Sequence, residues 1–128
     1  MKFLILAILL SSCVKDYKIN AVSSIGDMDC QSKENCTSSL PFKFLAQTPS
    51  ENIEMINSAA KKYEVQVLDK TEKYLHLKLN KTHLEFLADE QTREILIKAQ
   101  LESKNLLGNE SPEKLIEKIR FDFFQKNY

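Results

Sequence analysis

The sequence predicts an α+β fold of one domain, an antiparallel β-meander of about four strands packed against two helices, and three observations predict it. First, Leu75, Leu77 and Leu79 alternate with Tyr74, His76 and Lys78, and the same two-residue period returns at Leu84, Phe86, Ala88 and at Ile95, Ile97, Ala99, Leu101. That is the pattern of strands with one buried face. Second, these runs are joined by a few residues each, which favours antiparallel neighbours over parallel ones. Third, a capped helical stripe stands on either side of the strand region, and each needs an apolar surface to cover.

The N-terminal elements concern address more than fold. Met1 and Lys2 form a positive start, residues 3–10 are unbroken apolar, and Ser11 and Ser12 precede Cys13. Eight apolar residues in helix span about 12 Å, far short of a hydrocarbon core of roughly 30 Å, so residues 1–12 read as a cleaved secretory signal. Leu10-Ser11-Ser12-Cys13 resembles the lipobox of bacterial lipoproteins, which implies acylation of Cys13 and cleavage before it. Two or three acyl chains would hold the protein to a membrane, where one would be marginal. Val14 stands where an Asp would resemble an inner-membrane retention signal, which leans toward the outer membrane, facing the periplasm or the surface. A plain secreted protein is the alternative. Residues 13–29, rich in Lys, Asp, Asn and Ser, are expected to be a lipidated flexible tether, and 30–128 the folded domain.

Along the domain, the polar run CQSKENCTSS over 30–39 reads as a loop, followed by a short extended piece over 41–46. Thr48-Pro49-Ser50-Glu51 is a capping box with Pro at the first helical position. Ile53, Ile56, Ala60 and Tyr63 then recur at helical spacing, predicting a helix over about 49–63 that exposes Glu54, Lys61 and Lys62. Val65 and Val67 start the first meander strand. Asn80-Lys81-Thr82 and Glu90-Gln91-Thr92 supply the turns between the following strands. Ser111-Pro112-Glu113 caps the closing helix, whose buried stripe is Leu115, Ile116, Ile119 and Phe123. Phe121, Phe124 and Tyr128 lie off that stripe and could cover a sheet edge or meet a partner protein.

Composition narrows the function classes. The 128 residues carry 18 Lys plus Arg against 18 Asp plus Glu, so no positive surplus exists for nucleic acid, which is excluded as an expected partner. Two Gly, two His and three Cys leave no material for Gly-rich phosphate loops or multi-His metal sites, and neither a cofactor nor a metal is expected. With Cys13 taken by lipid, Cys30 and Cys36 remain, and an oxidising exported compartment would pair them in a structural disulfide. A metal pair lacks its other ligands, and a redox pair would more usually show C-x-x-C spacing.

The stretch Cys30-Gln-Ser-Lys-Glu-Asn35-Cys36-Thr-Ser38-Ser39 resembles the Cys-Pro-x-Ser-Pro-Asn-Cys-Val-Ser-Ser signature of a bacterial family known only as domain of unknown function number fourteen ninety-nine. Cys30, Asn35, Cys36, Ser38 and Ser39 coincide, and the order of elements over about 29–126 is also similar to that family. In the resemblance, Lys98 falls where the family's second motif has its first Arg, while Ala99 and Leu101 fall where it has serines. The family implies a fold and an envelope address, with no agreed reaction.

Candidate polar-site residues are therefore Asn35, Ser38, Ser39, His76, His83 and Lys98. No catalytic set is assigned: Ser38 and Ser39 lack a neighbouring base, and capping of the Cys loop is their simpler role. His76 with Tyr74 and Lys78, and His83 with Glu85, share the outer strand face and could meet across the hairpin, although a solvated polar face is the ordinary outcome. Gly108-Asn109-Glu110-Ser111 reads as a loop ending in a cap. The expected function is a non-enzymatic, lipid-anchored binding or accessory domain for an envelope protein or small ligand. The alternative is a hydrolase-like or thiol-redox enzyme with its site near the Cys30 to Ser39 loop.

Overall fold

The structure, a computed structural model, describes residues 16–20, 22–30, 34–103 and 111–126. Expectations for the signal segment 1–12, Cys13, Gly108-Asn109 and Tyr128 lie outside the described residues. Five strands form one antiparallel sheet: β1 (Cys36–Lys43), β2 (Gln66–Lys70), β3 (Tyr74–Leu79), β4 (Thr82–Asp89) and β5 (Glu94–Leu101). The helices are α1 (Pro49–Ala60), prolonged by a 3-10 turn over Lys61–Tyr63, and α2 (Pro112–Lys126). The spatial order is β1-β5-β4-β3-β2. The α+β expectation therefore holds, with β2 to β5 as the meander and β1 added as a fifth strand beside β5.

The loop expected over 30–39 is corrected from Cys36 onward, because Cys36, Thr37, Ser38 and Ser39 pair with Gln100, Ala99, Lys98 and Ile97. The register then shifts between Ser39 and Phe42. The break at Leu40-Pro41 changes which parity faces the helices: Thr37 and Ser39 stand on the helix side, and after the bulge so does Phe42, which is fully buried opposite Ile95. Leu40 is left 78% exposed. A Pro is tolerated here because β1 is an edge strand at a bulge, where no ladder hydrogen bond is required of it.

Both helices cover one face of the sheet. Ile53, Ile56, Ala59 and Ala60 of α1 and Leu115, Ile116, Ile119 and Phe123 of α2 join Leu75, Leu77, Leu84, Phe86, Ile95 and Ile97 in one apolar core. Thr48 caps α1 by accepting from the Glu51 N–H at 3.2 Å and donating to the Glu51 carboxylate at 2.8 Å. Asn52 fastens the β1–α1 connection, its side chain bonding both Leu45 and Ala46 backbone N–H groups and the Ala46 and Thr48 carbonyls. Asn80, at φ 55°, supplies the positive φ of the β3–β4 hairpin. No helix among the described residues is long and apolar enough to cross a membrane.

The second face of the sheet is covered in part, over β4 and β5. The described residues of the expected tether lie along β5 and are tied to it. Asp16 bridges Ser103, the Tyr17 N–H donates to the Glu102 carbonyl at 2.6 Å, and Ile25–Met28 forms a 3-10 turn packed on β4 and β5. The backbone of this segment finds acceptors and donors that the strands offer on that side, and Met28 buries its side chain there. We refer to residues 16–29 as the strap.

Candidate functional site

Strand pairing places side chains in rows across the sheet, because residues opposite one another in neighbouring strands share a face. On the face under the strap, one row runs Ser38, Lys98, Glu85, His76 and Asp69, and the next runs Cys36, Gln100, His83, Lys78 and Gln66. A solvated polar face was the expectation for this side. The structure instead buries Glu85 (0% exposed), Gln100 (1%), Lys98 (3%) and His83 (5%), with Lys98 and Gln100 bonded to the strap.

Glu85 sits at the centre of the first row. Its Oε1 accepts from the Tyr74 hydroxyl at 2.8 Å and its Oε2 from Gln100 Nε2 at 2.8 Å, and Lys98 Nζ stands 3.5 Å from Oε2. Burial, reinforced by the hydrogen bond to Glu85, pushes the Tyr74 hydroxyl far above the ordinary tyrosine range. Lys98 Nζ donates at 2.7 Å to the Asp27 carbonyl of the strap. Gln100 Nε2 also donates to the Asn20 carbonyl at 3.1 Å, while its Oε1 accepts from the Asn20 N–H at 3.2 Å. The same carboxamide thus engages both backbone groups of one strap residue.

The two histidines do meet across the β3–β4 hairpin. His76 Nε2 lies 2.7 Å from His83 Nδ1, and His83 Nε2 lies 2.8 Å from Glu102 Oε1, which Lys78 Nζ approaches at 3.0 Å. With Nε2–H of His83 donated to Glu102, Nδ1 of His83 accepts from Nε2–H of His76. A single proton fills the contact between the rings, so both rings cannot be fully protonated in this arrangement. Burial lowers the His76 pKa beneath its ordinary value, and the bonds from His83 and Lys78 lower that of Glu102.

The remaining candidate residues go to separate places. Asn35 is buried and donates Nδ2 to the Leu101 carbonyl at 3.1 Å. Ser38 donates to the Met28 carbonyl at 3.3 Å on the strap side. Ser39 points to the opposite face, where it accepts from Arg120 at 3.1 Å while the Arg120 guanidinium lies over the Phe42 ring. Alternation within β1 therefore separates the two serines. Ser38 is also three strand spacings from His76, about 14 Å at the usual strand separation. Ser38, Ser39, His76 and His83 do not converge on one reacting atom. Cys30 and Cys36 are bonded to each other, closing the strap onto the start of β1.

Sequence reasoning found His76, His83 and Lys98 but missed Gln100, which contacts the strap most fully. Its signal was present: Lys98 and Gln100 alternate with the apolar Ile97, Ala99 and Leu101. Among the described residues no group of three or more His, Cys, Asp or Glu side chains is placed to hold a metal ion. Comparison with models of known protein families, with curated proteins and with solved structures finds no match, so the functional reading rests on this chain's own residues.

Proposed function

We propose that this chain is a non-enzymatic binding or accessory domain of the bacterial cell envelope, held by lipid at Cys13 to the outer membrane and facing the periplasm or the surface. The observation that carries the reading is the Cys30–Cys36 bond, which suits an oxidising compartment and agrees with an export signal ending in Leu10-Ser11-Ser12-Cys13. The polar side chains of the covered face support a binding role over a catalytic one. Lys98, Gln100 and Ser38 each reach a backbone group, and among the described residues no serine is hydrogen-bonded to a histidine. The partner would be an envelope protein or a small ligand.

The test is the intact mass of the protein extracted from membranes of its native host, with and without reductant. A species that begins at Cys13, carries acyl mass and gains about 2 Da on reduction is the expected result. A full-length, unacylated species would overturn the anchoring, and a species already reduced would remove the argument from compartment.

A further inference from the structure

We propose that the polar face of the sheet, centred on Lys98, Gln100 and Ser38, is a binding site for a polypeptide segment, which the strap of this same chain occupies and thereby gates. The inference deepens the binding-domain reading and rests on it. Its basis is which atoms of the strap the sheet recognises. Tyr17 N, Asn20 N, Asn20 O, Asp27 O and Met28 O are the strap atoms bonded to Glu102, Gln100, Lys98 and Ser38, and each is a backbone atom. A face whose side chains grip main-chain groups in this way takes a peptide with little regard for that peptide's own side chains, since every residue offers the same backbone donors and acceptors.

Glu85 explains how the face keeps its aim. It is fully buried, and it binds Gln100 Nε2 while standing beside Lys98 Nζ, the two groups that reach furthest toward the strap. Burying a carboxylate, an ammonium and a carboxamide side by side costs desolvation that an apolar row would avoid. The arrangement returns that cost as orientation: Glu85 is a positioning residue that fixes one donor for a carbonyl and one carboxamide for both backbone groups of a residue. The strap itself contributes little apolar anchoring. Met28 is the one fully buried side chain among its described residues, Tyr17, Ile19 and Val22 are partly buried, and Ile25 is half exposed. A segment held largely by backbone bonds, with a single fully buried side chain, belongs to the low-stability end of a fold, where local opening is frequent. The Cys30–Cys36 bond fixes its C-terminal end, so opening swings the strap about that point without losing it.

In the closed state the strap competes in cis at an effective concentration in the millimolar range, so a free peptide binds the wild-type protein weakly. Asn20→Pro removes the N–H that Gln100 accepts and leaves the sheet untouched. A fluorescent synthetic peptide of residues 16–29 is then titrated, by anisotropy, into the purified wild-type and Asn20→Pro proteins, both oxidised. The expected result is binding about tenfold tighter to Asn20→Pro than to wild type, lost again in Asn20→Pro/Gln100→Leu. The same peptide carrying an N-methyl group on Asn20 should bind about tenfold more weakly, since one backbone donor is gone. A folded Asn20→Pro protein that fails to bind at about 1 mM peptide overturns the proposal.

Because a proline variant can misfold, hydrogen exchange on the wild-type protein gives an independent reading. The Tyr17 and Asn20 amides should exchange about 100-fold faster than those of β4, reporting strap opening without global unfolding. Equal protection would mean that the strap opens only when the domain does, and the gate would fall. Failure of peptide binding in a protein found acylated at Cys13 would refute this site and leave the envelope anchoring standing; peptide binding by an unacylated protein would do the reverse.

Discussion

Replacing Lys98 by Met tests whether the polar row under the strap is an electrostatic unit. Lys98 is almost fully buried, donates to the Asp27 carbonyl at 2.7 Å and lies 3.5 Å from Glu85. The Met side chain conserves much of the volume, so packing loss is small. What disappears is a charge-assisted hydrogen bond, about 1.5–3 kcal/mol, together with the cation beside a buried carboxylate. Removing one partner of a buried pair typically costs about 3–5 kcal/mol, and the 3.5 Å separation puts the expected loss for Lys98→Met near the lower end, about 3 kcal/mol. In a domain of this size that corresponds to a fall in Tm of about 15 °C. Glu85→Gln should cost a similar amount, because it strands the Lys98 ammonium. The double variant leaves neither charge of the pair unpartnered, so its loss should fall short of the sum of the singles by about 1.5 kcal/mol or more. Urea unfolding at neutral pH, with m checked for constancy across the four proteins, measures the cycle. Additivity within about 0.5 kcal/mol would refute the reasoning, since Lys98 and Glu85 would then be independent side chains that happen to share a row.

Three further outcomes follow from the same structure. Cys30→Ala/Cys36→Ala should lower stability by about 2 kcal/mol, the loop-closure value for so short a loop, and reductant should lower the wild-type Tm while leaving the double variant unmoved. The His76 pKa is held below its ordinary 6.5, so the unfolded chain takes up a proton that the native chain resists; stability is kept above that pH and declines as pH falls through it, and His76→Gln should flatten the decline in a series of chemical denaturations between about pH 5 and 7. At the alkaline end the Tyr74 hydroxyl is held far above its ordinary 10.0, so only the unfolded chain ionises there; stability should fall as pH rises past that value, and a wild-type slope indistinguishable from that of Tyr74→Phe would show that the Glu85 bond does not matter.

The parts of the fold that were legible in sequence are those written in local chemistry. Thr48-Pro49 and Ser111-Pro112 announce helix starts because capping is settled within four residues. Leu75, Leu77 and Leu79 announce a strand because an apolar face imposes its period on the chain. β1 was legible only from Pro41 onward. Cys36, Thr37, Ser38 and Ser39 have no apolar period, their partners on β5 lie some sixty positions later, and the Leu40-Pro41 bulge breaks the alternation that would have exposed the strand. The candidate site was half legible for a related reason. Tyr74, His76, Lys78, His83 and Glu85 could be put on one face, but polar residues in alternation look the same whether water or polypeptide covers them. The cover itself was read as a tether, because it docks mainly through main-chain groups, and main-chain hydrogen bonds leave no mark in residue identity.

The two faces of this sheet accordingly do different work. The helix side is apolar, and its burial drives folding; Phe42 stacks on Phe123 at 5.4 Å between centroids, a contact that any large side chain change would disturb. The strap side buries Glu85, Lys98 and Gln100, a choice that sacrifices stability for a defined geometry of donors and acceptors. Such a choice makes sense where the covering segment must leave and return to one register, since an apolar cover would dock tightly in many. Under the proposed anchoring at Cys13, that segment is also the link between lipid and domain. Docked, it holds the domain close to its anchor. Released, residues 14–29 could reach about 50 Å at full extension, freeing the polar face at the moment the domain moves outward. Reach and binding would then be coupled through one set of backbone hydrogen bonds, with Gln100 and Lys98 as the groups that set how often they break.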